Sequence, residues 1–158
     1  MNAWQRFAHL LGEENRLLGE LGGRALVLTD ALVQNVPEQI EAAERRLEAA
    51  RLLHATAYSA RLAMQKRGFG GLELAQVCAY APPSLRRDLY AIAHQITVRG
   101  IALRMTVSNN KALILAGLER IARTVAVMQR ASTEQTGTYR RRGIIPPPEG
   151  SVLVSRRA

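Results

Sequence analysis

Cysteine is almost absent from this chain: Cys78 is the single one in 158 residues. No intramolecular disulfide can form, and a lone thiol in such a composition reads as a reduced, small buried hydrophobe in a cytoplasmic protein rather than a nucleophile. Aromatics are scarce too, at 4% against 47% hydrophobic residues overall. The apolar content is therefore Leu, Ala, Ile and Val, a helix-bundle composition, and the interleaved aromatics on which single-stranded nucleic acid stacks are missing. No run of about 18 apolar residues occurs, and an N-terminus carrying Trp4, Arg6, Glu13 and Glu14 has no apolar signal-peptide core. A soluble, unexported protein is expected, without membrane insertion.

Chemistry-bearing patterns are also lacking. His9, His54 and His94 lie far apart and without the Cys, Asp or Glu spacing that holds zinc. The GFGG at 68–71 has no Lys-Ser or Lys-Thr after it and no strand before it, so it reads as a turn rather than a phosphate cradle. With no Gly-x-Ser-x-Gly elbow and no carboxylates spaced to converge in a pocket, an enzyme is not expected. Neither a cofactor nor a metal is implied.

Proline is absent as well from the stretch between Pro83 and Arg130, about 48 residues in which apolar side chains recur at steps of three and four. The seam reads Leu85, Leu89, Ile92, Ile96, Gly100, Leu103, Val107, Asn110, Ile114, Leu118, Ile121, Val125, Met128. At 1.5 Å per residue this helix would be roughly 70 Å long, more than a compact globule of this size needs. Two places where the seam advances four and then four residues relax any left-handed supercoil. The expectation is an all-α fold, an elongated, coiled-coil-like antiparallel helical hairpin or bundle with one very long C-terminal helix.

Upstream, Asn2 can cap a first helix with Trp4, Phe7, Leu11, Leu18, Leu21, Ala25 and Leu28 inward and Glu14 filling the missing step. It is expected to end near Leu28, where Thr29 and Asp30 offer a new N-cap and so kink the first arm. Pro37 suits the first turn of a second helix running to Arg67, with Glu38 and Glu41 near its positive end. Ile40, Ala43, Leu47, Ala50, Ala57 and Met64 form its stripe, with His54 within and Arg61 at the edge, and Gly68 ends it. Leu72–Ala79 predicts about two turns, and Pro82 and Pro83 precede Ser84 as cap of the long helix. After Ala131 the pattern stops, so residues 1–131 read as a helical domain and 132–158 as a disordered basic tail, in which Pro146–Pro148 favour extended polyproline geometry.

The net charge of +9 is uneven: residues 1–67 hold nine basic and eight acidic groups, residues 68–158 thirteen and five. Such an excess suits nucleic acid, an anionic membrane or an acidic protein partner alike. On the apolar seam Asn110 stands out, because a polar amide there costs stability and commonly sets register or partner choice. The alternative is that the seam around it, Leu103–Met128, receives an amphipathic helix. In the basic segment Thr-Gly-Thr-Tyr139-Arg-Arg-Arg-Gly143, Tyr139 is a natural docking anchor.

The long helix with its Asn109-Asn110 pair, followed by Tyr139 and Gly143, resembles the FlgN family of flagellar type III export chaperones over most of the chain. In that family an Asn-rich turn precedes an apolar helical stretch and a short tail carries Tyr and then Gly. Asp30, Arg61 and the glycine after it are similar to the family's N-terminal half. The chain departs from it at Val107, where a second Asn is frequent, and in its more basic charge. The resemblance implies a cytoplasmic chaperone that binds the C-terminal helices of hook–filament junction proteins and delivers them to the cytoplasmic domain of the export gate. Clients would contact Asn110, Ile114, Leu118, Ile121 and Val125; the gate would contact Tyr139 and Gly143. Nucleic acid is not among the implied partners. Two other readings stand beside it: a basic helical nucleic-acid binder, and a coiled-coil adaptor that self-associates through the same seam.

Overall fold

The computed structural model describes the backbone of residues 2–141 and the side chains of residues 2–133. Among the described residues the chain is all-α, with helices α1 (Ala3–Gln34), α2 (Pro37–Phe69), α3 (Leu74–Ala79) and α4 (Pro83–Arg141) and no strand. It divides after Leu115 into a first unit, Met1–Leu115, and a second, Ala116–Ala158.

The first unit is built on α1. Asn2 and Gln5 form a reciprocal capping box: the Asn2 Oδ1 accepts from the Gln5 N–H at 2.8 Å and the Gln5 Oε1 from the Asn2 N–H at 2.9 Å. The buried face then runs Phe7, Leu11, Glu14, Leu18, Leu21, Ala25, Leu28 and Ala31. The helix does not end near Leu28. It continues to Gln34, and Asn35 closes it in the left-handed conformation (φ 55°), its N–H bonded to the Ala31 carbonyl at 2.9 Å. Thr29 therefore caps nothing; its hydroxyl faces back to the Ala25 carbonyl at 3.1 Å and across to α4, within a helix that runs on unbroken past Asp30.

Helix α2 starts at Pro37 as its sequence predicts and returns antiparallel to α1. At one end Phe69 meets Trp4 and Phe7, with ring centroids 4.6 and 5.1 Å apart. At the other, Ala43 packs with Leu28 and Ala31. It ends at Gly70 and not at Gly68, because Gly70 and Gly71 take the left-handed conformation (φ 63° and 78°) and the Gly71 N–H turns back to the Gln65 carbonyl at 3.4 Å. Stopping at Gly68 would remove Phe69 from the helix that aims its ring at α1. A Cβ at Gly70 would meet nothing within 4 Å, so Gly70→Ala carries only the backbone cost of a left-handed residue. It is expected to lower stability by about 1 kcal/mol, read as an earlier urea midpoint, while Gly70→Asn loses less.

The short α3 brings Val77 and Cys78 into the main core with Phe7, Leu11, Ala81 and Leu89. Burial pushes the Cys78 thiol up, keeping it protonated and inert, as a small hydrophobe would be. Helix α4 begins at Pro83, one residue before the expected cap Ser84, with the Pro82 carbonyl accepting from the Leu85 and Arg86 N–H groups. A proline in the first turn gives up no helical bond. The part of α4 within the first unit runs parallel to α1, since Gln95 and Arg99 reach Asn15 while Asn110 reaches Ala25 and Thr29. The first unit is thus a three-helix bundle closed by α3.

Two further expectations change. The α4 seam passes through half-buried Thr106, leaving Val107 exposed. Nor does the helix stop at Ala131: it runs to Arg141, because Gly137 alone cannot halt it and the first proline is Pro146. The Ser132 and Thr133 hydroxyls donate back to the Gln129 carbonyl, at 2.9 and 2.8 Å. Residues 142–158, with Gly143 and the three prolines, lie outside the described residues.

Candidate functional site

Asn110 and the apolar residues after it, grouped together by sequence, occupy different environments. The Asn110 side chain is buried between α4 and α1. Its amide nitrogen donates to the Ala25 carbonyl at 3.1 Å, and its Oδ1 accepts from the Thr29 hydroxyl at 2.7 Å. A mid-helix carbonyl is already engaged by its own ladder, so the Asn110 bond uses the second lone pair, and the pairing is met at one axial position of α4 against α1. This is a register device, and its atoms are not free for an incoming segment. A second pin lies at Asn15, where Asn15 Nδ2 donates to Gln95 Oε1 at 2.8 Å and Arg99 Nη1 donates to Asn15 Oδ1 at 2.9 Å. Gly19 leaves the space in which that guanidinium lies, since a Cβ there would sit 2.9 Å from Arg99 Nη1.

Beyond Asn110 no residue is buried among those whose side chains are described. At the end of the first unit Ile114 is 40% exposed, and in the second unit Leu118, Ile121, Val125 and Met128 are 57, 60, 46 and 66% exposed. The stripe that buries Leu89 and Asn110 upstream continues here as exposed side chains. Large apolar groups at helical spacing are left in water over several turns here, as a continuous stripe rather than scattered surface hydrophobes. Charged groups lie away from this stripe: Arg120, Arg123 and Arg130 fall on the opposite side by helical spacing, with Glu119 beside Arg123 at 3.8 Å. Tyr139 stands on the α4 backbone past the residues whose side chains are described, and Gly143 lies beyond them.

Sequence reasoning placed Glu14 on the inward face and Arg61 at an edge without joining them. They form a buried, two-pronged ion pair: Arg61 Nε donates to Glu14 Oε2 at 2.7 Å and Arg61 Nη2 to Glu14 Oε1 at 3.1 Å. Arg61 Nη1 donates to Gln65 Oε1 at 2.6 Å, and the Gln65 amide donates in turn to the Leu72 carbonyl, holding the loop before α3. The Tyr58 ring lies 5.0 Å from the guanidinium carbon. A carboxylate inside an apolar stripe was the available signal, because burying it requires a cation at the matching height of a neighbouring helix. Both side chains are buried and bonded to each other, so the pair holds α1 and α2 together.

Among the described residues no three His, Cys, Asp or Glu side chains cluster as a metal site, and no helix is long and apolar enough to cross a membrane. No protein-family model, curated protein or solved structure matches this chain, so its functional reading rests on the residues and their geometry.

Proposed function

We propose that this protein is an export chaperone of the FlgN type. It holds the C-terminal helical segments of hook–filament junction proteins along the α4 stripe Ile114, Leu118, Ile121 and Val125 and passes them, in the cytoplasm, to the export gate's cytoplasmic domain through Tyr139 and Gly143. The observation that carries this reading is the exposure of that stripe on a helix continuing past the last residue α4 buries in the bundle. An amphipathic client helix laid there removes apolar surface from water on both sides, which keeps an aggregation-prone segment soluble without covalent chemistry. Asn110 acts in this scheme only through the placement of α4, because its amide is committed to α1.

The test mixes the full-length protein with the C-terminal helical segment of a junction protein from the same genome and follows heat of binding and complex mass. A stoichiometric complex is expected. Leu118→Asp is expected to weaken it about 100-fold or more with helical content kept, since the side chain is exposed and its replacement removes only intermolecular burial. Tyr139→Ala is expected to weaken gate binding and leave client binding unchanged. Failure to bind the segment, together with steeply salt-dependent binding of DNA, would replace this reading with the nucleic-acid one.

A further inference from the structure

We propose that the outer groove of the α1–α2 hairpin receives an amphipathic helix bearing lysines or arginines, presented by a partner protein. The groove lies within the first unit, is made of residues other than those of the α4 stripe, and stands whether or not the chain is an export chaperone.

Helix α4 meets α1 at Ala25 and Thr29. About half a turn round α1 stand Val27, Asp30 and Gln34, which with Glu38, Ala42 and Arg46 of α2 line an open groove of about 420 Å³. Its floor is apolar, because Ala31 and Ala43 pack with Leu28 there and Val27 is left 44% exposed. The groove continues along the hairpin as a row. By the antiparallel register that brings Arg61 to Glu14 and Ala43 to Ala31, Leu53 stands level with Gly22 and Gly23. Helical spacing puts Leu53 on the same face of α2 as Ala42 and Arg46; it is 55% exposed, and a Cβ at either glycine would meet nothing within 4 Å. From Glu38 to Leu53 the row spans about 22 Å, the length of some four helical turns.

A helix suits this row better than an extended segment. The α1 and α2 backbones engage their N–H and C=O groups in their own ladders, so a strand would find no main-chain partners along the groove. A helix satisfies its own backbone and needs only side-chain contacts.

Charge selects which helix. The chain carries a net +9, yet residues 27–44 hold Asp30, Glu38, Glu41 and Glu44 and no lysine or arginine. On the same two helices Glu13, Glu14, Glu20, Glu41 and Glu48 each have an arginine partner. The Asp30 and Glu38 side chains have neither an ion pair nor a hydrogen bond among the described residues. Two unpaired carboxylates beside an apolar floor attract cationic side chains and repel an acidic segment. Arg46 is the one cation lining the groove, and it opposes such an occupant.

The test is fluorescence anisotropy of the full-length protein with a labelled helical peptide about five turns long, leucine and alanine along one row and lysines beside it, compared with the same peptide carrying glutamate for lysine. The lysine peptide is expected to bind with a Kd of about 10–100 µM, more weakly as salt is added, and the glutamate peptide to bind at least about tenfold more weakly. The double variant Asp30→Asn, Glu38→Gln is expected to weaken the lysine peptide about tenfold, and Ala42→Gln, which fills the floor at unchanged charge, about fivefold or more. Arg46→Gln is expected to tighten it about threefold, while Leu118→Gln leaves it within about twofold. Far-UV circular dichroism verifies that each variant is folded. No binding of the lysine peptide up to about 1 mM, equal binding of the glutamate peptide, no effect of Ala42→Gln, or a loss in Leu118→Gln matching that of the double variant overturns the proposal. Displacement of the peptide by equimolar spermidine, or a dimer of the protein alone that the double variant dissociates, would place a free cation or a second copy in the groove and overturn it as well. None of these outcomes bears on the junction-protein complex, which Leu118→Asp tests.

Discussion

Replacing Arg61 by Leu is expected to destabilise the first unit by about 3–5 kcal/mol, and Glu14→Leu by a similar amount. Either change strands one buried charge: the Glu14 and Arg61 side chains are 2% and 7% exposed, and each supplies the other's main partner. Against a total stability of about 5–15 kcal/mol for a typical domain, such a loss places either variant near its unfolding transition. The double variant Glu14→Leu, Arg61→Met removes both charges at once and is expected to recover to within about 1 kcal/mol of the parent, because a paired buried charge gives little net stability over well-packed apolar groups. Urea unfolding followed at 222 nm distinguishes the two cases. Were the single variants as stable as the parent, the ion pair would carry no structural role.

The pair earns its place through specificity. Helix α2 buries only Ala43, Ala50, Arg61 and Gln65, and two alanines discriminate poorly between adjacent axial positions along α1. A two-pronged carboxylate–guanidinium contact is satisfied at one position, and Gln65 extends it to the Leu72 carbonyl. The double variant is accordingly expected to keep stability but broaden its amide NMR spectrum, as packing alone leaves neighbouring registers close in energy.

Phe7→Ala is expected to cost about 3–5 kcal/mol, the range for emptying an aromatic site in a close-packed core. Phe7 is fully buried, meets the Phe69 ring edge-on at 5.1 Å, and shares its cluster with Leu11, Val77, Cys78, Ala81 and Leu89. Residues from all four helices pack in or against that cluster, so no single element can shift to fill the void. Trp4, stacked at a tilt 4.6 Å from Phe69, reports the loss directly as a red-shifted emission. Truncating Leu118 to Ala, by contrast, is expected to change monomer stability by less than about 0.5 kcal/mol, since that side chain buries little in its own chain. The ratio of these two effects separates core from interaction surface on what sequence presents as similar apolar positions.

Much of the fold was legible because helix-forming information is local. Asn2 with Gln5, Pro37 with Glu38, and the three-and-four spacing of Phe7, Leu11, Leu18 and Leu21 act within a turn or two, and each appears where expected. The errors cluster where a local signal competes with a distant contact. Thr29–Asp30 has the chemistry of an N-cap, yet the Thr29 hydroxyl is held by Asn110, which lies 81 residues away. Gly68 can end a helix, but Phe69 must remain helical to reach Trp4 and Phe7. Val107 and Thr106 are both compatible with the three-and-four spacing, and only the direction of α1 from α4 selects Thr106 for the half-buried place.

Three properties can be read without any fold in hand: the chain is all-α, its apolar side chains lie in stripes, and one helix is far longer than the others. Those properties follow from propensity and periodicity, which act between residues close along the chain. Which lengths of each stripe are used depends on how the helices pack. Asn110 looks like one more member of the Leu85–Met128 seam until α1 is placed beside it; then it becomes the last buried residue of α4 among those described, and Ile114, Leu118, Ile121 and Val125 are exposed. Burial depends on what stands opposite a side chain, and that neighbour is set by packing between residues about 80 positions apart, a relation no spacing along one helix contains.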